Sequence, residues 1–569
     1  MKLYFPNKLI FFMRFFMNPS GFMTTGINLH SGIKFALGFV FLLSGIPSGN
    51  ASAAEIDYFT NPVVYSDYSD PDAIASPDGK GYYMTASSFH CAPGLPILFS
   101  EDMVNWEIVN HALKQVPPVD FYNETPRHGK GVWAPSIRHH NGKYYIYWGD
   151  PDFGIFMVSA SDPRGEWTEP ILVKEGKGMI DPTPLWDDNG KAYLAFAWAA
   201  SRSKFNSVIS LWEMKPDGTA LIGNPKIVFD GNAGGNHTCE GPKLYKHDGR
   251  YYILCPAGGV DKGWQLALRS NDVWGPYESK IVLQQGNSAI NGPHQGALIE
   301  TPSKEPWFIH FQESQPWGRI LHLNPVKWVD GWPVMGNNGE PVSRATMPQK
   351  AVKSHNIATS DNFDNGIIGL QWQWHGNYSP EFGMPLTEGK MRVYGFLTDS
   401  IPNLWNVPNL FLQKFHSPGF SATAKVKVTA RDDRQQSGIV VMGRDYFRVA
   451  VQKQGDKFII RCIECHDAEN SGQETIVREL PLTDAKAIEA GLYPNYECDI
   501  WLRLDVAPDG ICRFAYSLDG KKFNDTDVSF KAREGKWIGA KYGIYSIAPA
   551  SAERGWIDVD SFIVNNRKK

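Results

Sequence analysis

Gly81-Tyr82-Tyr83-Met84, Lys143-Tyr144-Tyr145-Ile146, Lys191-Ala192-Tyr193-Leu194, Arg250-Tyr251-Tyr252-Ile253 and Glu305-Pro306-Trp307-Phe308-Ile309 are five versions of one strand signal. They recur at about 55-residue intervals, in the range of four-stranded propeller blades. A second strand and an aromatic turn follow, as in Ile97-Leu98-Phe99-Ser100 before Asn105-Trp106 and Phe156-Met157-Val158-Ser159 before Glu166-Trp167. Leu266-Ala267-Leu268-Arg269 leads to Gly275-Pro276-Tyr277 in the same way. One such unit cannot bury its own apolar face, so tandem independent β-domains are the weaker reading. Five units predict a five-bladed β-propeller over residues 54–345. Long amphipathic helical patterns are nearly absent, and the class is all-β.

Outside the repeat the chain changes character. Residues 346–360 read as a linker, poor in Gly and Ser and so unlike a flexible tether. Residues 361–569 open on Asp361-Asn362-Phe363-Asp364 and carry period-two strands such as Ala422-Thr423-Ala424-Lys425-Val426-Lys427-Val428. Many antiparallel strands of that pattern predict a β-sandwich of the jelly-roll, concanavalin-like kind. Its tryptophans, Trp372, Trp374, Trp405, Trp501, Trp537 and Trp556, are candidates for a packed face against the propeller.

The N-terminus reads as an export signal over residues 1–53, with Lys34, an apolar run Phe35–Ile46 and the small-residue site Ala51-Ser52-Ala53. Met23 offers a second start. The apolar run is short for a spanning helix, so a periplasmic or secreted protein without a membrane span is expected. A net charge of −4 gives no reason to expect nucleic acid. Seven cysteines in 569 residues do not suggest a disulfide scaffold. Cys462-Ile463-Glu464-Cys465-His466 matches a c-type haem attachment pattern, but it continues a strand-like run, Lys457-Phe458-Ile459-Ile460-Arg461. A local disulfide or two free thiols is the better reading there.

Acidic residues recur just before the aromatic strand signals. Asp70 stands in Ser69-Asp70-Pro71-Asp72, Asp181 in Ile180-Asp181-Pro182-Thr183 and Glu240 in Cys239-Glu240-Gly241-Pro242. Trp133-Ala134-Pro135 and Pro293-His294 fill the same places in the other two units. Any one Asp-Pro is an ordinary turn starter. Three acids and a histidine in register around a propeller axis point instead to one shared pocket. Converging carboxylates are what hydrolysis of a glycosidic bond needs. The aromatic content of 13%, with 19 Trp, supplies apolar faces on which sugar rings stack.

At these residues the chain resembles glycoside hydrolase family 43, in the branch with a C-terminal β-sandwich. The motifs carrying the resemblance include Asn61-Pro62, Ser87-Ser88-Phe89, Pro93-Gly94-Leu95-Pro96-Ile97 and Gly318-Arg319, besides those around the three acids. One departure is Ser136, where the family usually has an acid after Trp-Ala-Pro. The resemblance implies Asp70 as general base, Glu240 as general acid, and Asp181 as the residue that orients Glu240 and raises its pKa. It implies inversion, with base and acid roughly 6.5–9.5 Å apart. It also implies Phe89 and Trp133 as apolar walls, Arg319 on substrate hydroxyls and His294 beneath the sugar. Through water, His294 would also serve a structural calcium. Trp537 would bring an aromatic from the sandwich. No cofactor is required for the chemistry. The implied activity is exo-hydrolysis of a terminal pentose from plant hemicellulose, that is, from arabinose- or xylose-bearing oligosaccharides. α-L-Arabinofuranosidase stands first and β-D-xylosidase second. The β-fructosidases share the architecture, but their Arg-Asp-Pro signature is missing because Ile180 precedes Asp181. A non-catalytic carbohydrate-binding protein would not need all three acids.

Overall fold

The computed structural model describes residues 57–566 apart from 351, 352, 354, 399, 400, 491, 492, 551 and 552. The expected export signal, residues 1–53 with Met23, lies outside the described residues. Five four-stranded antiparallel sheets follow one another along the chain, each with its strands in sequence order. Their first strands are Asp72–Ala75, Trp133–His140, Met179–Trp186, Lys243–His247 and His294–Glu300. Most of these meet the first strand of a neighbouring blade, and the fifth packs on the first to close the ring. The aromatic signals read from the sequence are therefore second strands, and the acid-bearing motifs themselves open the innermost ones.

Successive innermost strands are stitched by side chains. Ile137 N–H donates to Asp72 Oδ2 (2.9 Å), Ser136 Oγ to the Pro182 carbonyl (2.6 Å) and Thr183 Oγ1 to the Pro242 carbonyl (2.6 Å). Leu298 N–H donates to the Tyr245 hydroxyl (3.0 Å). Ser136 thus has a structural task beside Asp181. The aromatic turns share a device of their own. Trp106 Nε1, Trp167 Nε1 and Tyr277 OH each donate to a carbonyl three or four residues back, pinning the outer hairpin with the polar end of the ring.

The ring is also tied by its ends. Tyr58–Thr60 pairs antiparallel with Arg344–Thr346, and the Asn61 amide bridges Leu323 and Val342. The segment read as a linker runs from propeller to sandwich: Tyr82 OH donates to Gln349 Oε1 (2.8 Å), His355 is buried edge-on to Phe99, and Gln413 of the sandwich donates to the Thr359 carbonyl (2.9 Å).

The C-terminal part is a sandwich of two eight-stranded sheets. Along Phe420–Ala430 the alternate residues Phe420, Ala422, Ala424, Val426 and Val428 are all buried, as period-two patterning requires. Each large aliphatic side chain so buried is worth about 1.5–3 kcal/mol. That core extends into the propeller through Trp317 and Ile320. Trp317 Nε1 donates to the Ser417 carbonyl (2.6 Å), and half-buried Lys414 donates to the Asp67 carbonyl (2.6 Å). Trp374 and Ala92 form a backbone bridge, and Asn377 pairs its amide with both backbone groups of Val116.

The tryptophans divide by position. Trp374, Trp405 and Trp537 face the propeller, Trp372 fills the sandwich core, and Trp501 and Trp556 lie under cations from neighbouring strands of their own sheet. All seven cysteines are free and buried. Cys462 enters the inter-sheet core while Cys465 enters a second cluster, so neither a disulfide nor a haem linkage can join them. Among the described residues no helix is long and apolar enough to cross a membrane.

Candidate active site

The innermost strands begin with a repeated backbone irregularity. Asp70 (φ 55°), Ala134 (34°), Asp181 (57°), Gly241 (57°) and Gln295 (38°) all adopt the left-handed conformation at this point. The strand register shifts there in the second, third and fifth blades. Such bulges re-aim side chains beside active sites, at a cost of order 1–2 kcal/mol for each non-glycine residue. Asp70 and Asp181 occupy the left-handed position itself. Glu240 and His294 lie one residue earlier, so the expected exact register across blades does not hold.

Asp70, Asp181 and Glu240 nonetheless line one cavity of about 320 Å³, together with Phe89, Trp133, Gln295, Arg319 and Trp537. This falls within the range of small-ligand sites, roughly 300–1,000 Å³. Asp70 forms an ion pair with Arg319 (Nη1 to Oδ1, 3.2 Å) and accepts a hydrogen bond from Ser87 Oγ at Oδ2 (2.6 Å). Ser87 is fixed in turn because Ala134 N–H donates to its oxygen (2.7 Å). Arg319 lies over Phe311 (4.8 Å) and near the Trp537 ring (5.7 Å).

Asp181 accepts the Gly241 N–H at Oδ2 (2.8 Å), which anchors the peptide directly after Glu240. Burial, then the charges of Glu240 and Asp70, hold the Asp181 carboxyl well above the usual range. Burial and then the charge of Asp70 push Glu240 up to about 7, with Arg319 opposing. The raised pKa of Glu240 therefore comes from desolvation and Asp70. Asp181 also holds the Glu240–Gly241 peptide in place through that backbone bond.

Phe89 and Trp133 form adjoining walls, edge to face at 6.3 Å, and Ile538 of the sandwich packs behind Phe89. Trp537 is 45% exposed and projects from a sandwich turn held by a bond from Ala540 N–H to the Pro316 carbonyl (2.7 Å). His294 does not line the cavity. It is fully buried against Phe311, both ring nitrogens lack a hydrogen-bond partner, and burial lowers its pKa to about 3. Calcium takes six to eight oxygen donors, so an imidazole could serve such an ion only through water. The charge that His294 feels most is the cation Arg319, and among the described residues no ligand cluster includes His294.

Sequence reasoning missed Ser87 as a partner of Asp70, although it stands in the quoted Ser87-Ser88-Phe89. It also missed Gln295 and the buried charges below the cavity. Asp72 accepts from Arg138 Nη1 (2.6 Å), and fully buried Lys243 donates to the Pro135 carbonyl (2.9 Å). The second acid of Asp70-Pro71-Asp72 was the available signal for the latter.

Two family models match the chain. Residues 59–333 match "Glycosyl hydrolases family 43", and residues 360–565 match "Beta xylosidase C-terminal Concanavalin A-like domain". A protein of Xylanibacter ruminicola, provisionally named a beta-xylosidase, is 33% identical over 84% of both chains. The chain belongs to glycosyl hydrolase family 43. A "Non-reducing end alpha-L-arabinofuranosidase" of Bacteroides ovatus is 28% identical over 78% of this chain and 84% of its own. A solved "Bifunctional GH43-CE" protein of Bacteroides eggerthii superposes with a TM-score of 0.77 at 23% identity. That match covers 90% of this chain but only 64% of the bifunctional protein. As a family 43 member, the protein is a glycoside hydrolase, and this family's hydrolysis needs no cofactor.

Proposed function

We propose that this family 43 hydrolase is an exo-acting, inverting enzyme that removes a terminal pentose from hemicellulosic oligosaccharides. The observation that carries the reading is the unequal setting of carboxylates on one cavity. Asp70 is bound by a guanidinium and a hydroxyl donor, which suits a carboxylate that takes a proton from water. Glu240, pushed up to about 7, retains a proton to give to the leaving oxygen near neutral pH. Asp181 holds the Glu240 peptide, and Arg319 faces both Asp70 and the cavity. Phe89, Trp133 and Trp537 give the cavity apolar walls on which a sugar ring can pack. Export to the periplasm or beyond is part of the proposal and rests on the signal pattern in residues 1–53.

For the sugar, α-L-arabinofuranose is the first reading, supported by the motif pattern and the Bacteroides ovatus relative. β-D-Xylose is the second, favoured by the names of several other relatives. Rates on nitrophenyl α-L-arabinofuranoside and β-D-xyloside, with NMR of the first-formed anomer, test both parts. An inverted anomer and the larger kcat/KM on the arabinofuranoside are expected. A retained anomer would overturn the role of Asp70, and a larger value on the xyloside would replace the first sugar with the second.

A further inference from the structure

Three histidines outside the pocket meet where propeller and sandwich touch. His90 follows the wall residue Phe89, His128 precedes the strand that carries Trp133, and His375 follows the Trp374 bridge to Ala92. One ring nitrogen of each lies within 4.8 Å of the others. His90 and His375 are 1% and 3% exposed. Nδ1 of His90, Nδ1 of His128 and both ring nitrogens of His375 lack a hydrogen-bond partner, although buried polar atoms are paired as a rule. Each neutral imidazole offers one lone pair, so three rings with one nitrogen apiece in a common cluster call for a partner that accepts several lone pairs at once.

His128 carries a second sign. Its Nε2 donates to the Trp405 carbonyl (2.6 Å), and its ring stacks on the Trp405 indole at 3.5 Å. Protonation at Nε2 leaves the Nδ1 lone pair free and aimed into the cluster. A backbone carbonyl that fixes tautomer and ring direction in this way is the usual support of a metal-ligating histidine.

We infer that His90, His128 and His375 bind a divalent transition-metal ion of the zinc class, clipping the chain behind Phe89 to the sandwich. Imidazole nitrogen suits zinc, copper and nickel. Three imidazoles supply three of the four ligands of a zinc ion and leave the fourth to a non-protein ligand. Lys541 is buried nearby, bonded to Cys91 Sγ (3.0 Å) and Gln373 Oε1 (2.9 Å). Its charge works against a hard cation held by electrostatics alone, so the site selects a metal held by imidazole donation.

The test uses tag-free, full-length protein stripped with a chelator and then dialysed against zinc. One zinc per chain is expected to remain, with X-ray absorption showing three imidazole nitrogens at about 2.0–2.1 Å. His375→Gln is expected to lose the zinc, and Asp70→Asn to keep it. Negligible zinc on the wild type, or full retention by His375→Gln, would overturn the inference, the second outcome marking an adventitious site elsewhere. Should His375→Gln fail to fold, the absorption spectrum of the wild type decides: a shell without three imidazoles rejects the site.

Discussion

The propeller and the sandwich are both stacks of antiparallel strands, yet they place polarity in opposite positions. The sandwich fills the space between its sheets with Phe420, Val426, Ile439, Phe447, Ile500 and their neighbours, and keeps charge outside that layer. The propeller gathers Asp70, Asp72, Asp181, Lys243 and Arg319 around its axis and puts its apolar residues between blades. The lesson lies in the geometry of repetition. Radial repeats bring short segments from distant parts of the chain to one axis, where buried charges pair with one another instead of being forced into oil. Two facing sheets have no such axis. The sandwich therefore contributes a wall, Trp537, and a buttress, Ile538 behind Phe89, but no charge to the pocket.

The most drastic way to break this division is to remove the sandwich. A chain ending at Pro348 exposes Trp317 and Ile320 and loses the bonds from Ser417, Asn377 and Trp374. It is expected to be insoluble. A monomeric fragment by size exclusion, with full activity on oligosaccharides, would show that the propeller needs no partner and that Trp537 has no place in the site.

Substitution of the axial acids should spare the fold and remove the chemistry. Asp70→Asn and Glu240→Gln are expected to lower kcat by about 10²–10⁴ with unchanged circular dichroism. Glu240→Gln should be milder on nitrophenyl glycosides, whose leaving groups need little protonation. Activity within tenfold of wild type for a soluble variant would remove that residue from its role. Trp537→Ala, the sandwich counterpart, is expected to raise KM about tenfold while kcat changes little. A fall in kcat with KM unchanged would place the ring in the chemistry instead.

Glycine substitutions sharpen the contrast further. Gly241 (φ 57°) in the propeller and Gly455 (φ 62°) in the sandwich both need the left-handed conformation. Alanine at either should cost about 1–2 kcal/mol in urea unfolding. Only at Gly241 would the new Cβ meet a neighbour, Gln295 Cδ at 2.6 Å, whereas at Gly455 it meets open space. Gly241→Ala should therefore also disturb the bond to Asp181 and lower kcat, and equal activity of the two variants would separate that bond from catalysis. The smallest effect concerns pH. Glu240 must be protonated to act, so kcat/KM should fall as pH rises through about 7. Because its folded pKa exceeds the ordinary carboxylate value, the folded state holds the proton more tightly. Stability contributed by that group is present at low pH and lost as pH climbs from about 4.5 toward 7. Glu240→Gln should flatten that decline in thermal unfolding, and an unchanged slope would assign the decline to other groups.

What the sequence determined by itself is periodic or local. The five aromatic strand signals gave the blade count, alternation along 420–430 gave the sandwich, and Asp-Pro and Glu-Gly-Pro stretches singled out the three acids. Each is readable because strand geometry imposes a period of two and a propeller repeats one four-stranded unit. Tertiary structure alone decided the rest. It set Glu240 and His294 one residue before the left-handed position, and turned Asp181 toward the Gly241 N–H as well as into charge contact with Glu240. It also placed Ser87 on Asp70, buried His294 out of the cavity, and drew His90, His128 and His375 together. Burial and charge–charge contact depend on segments tens to hundreds of residues apart, and no local spacing records which of them will meet.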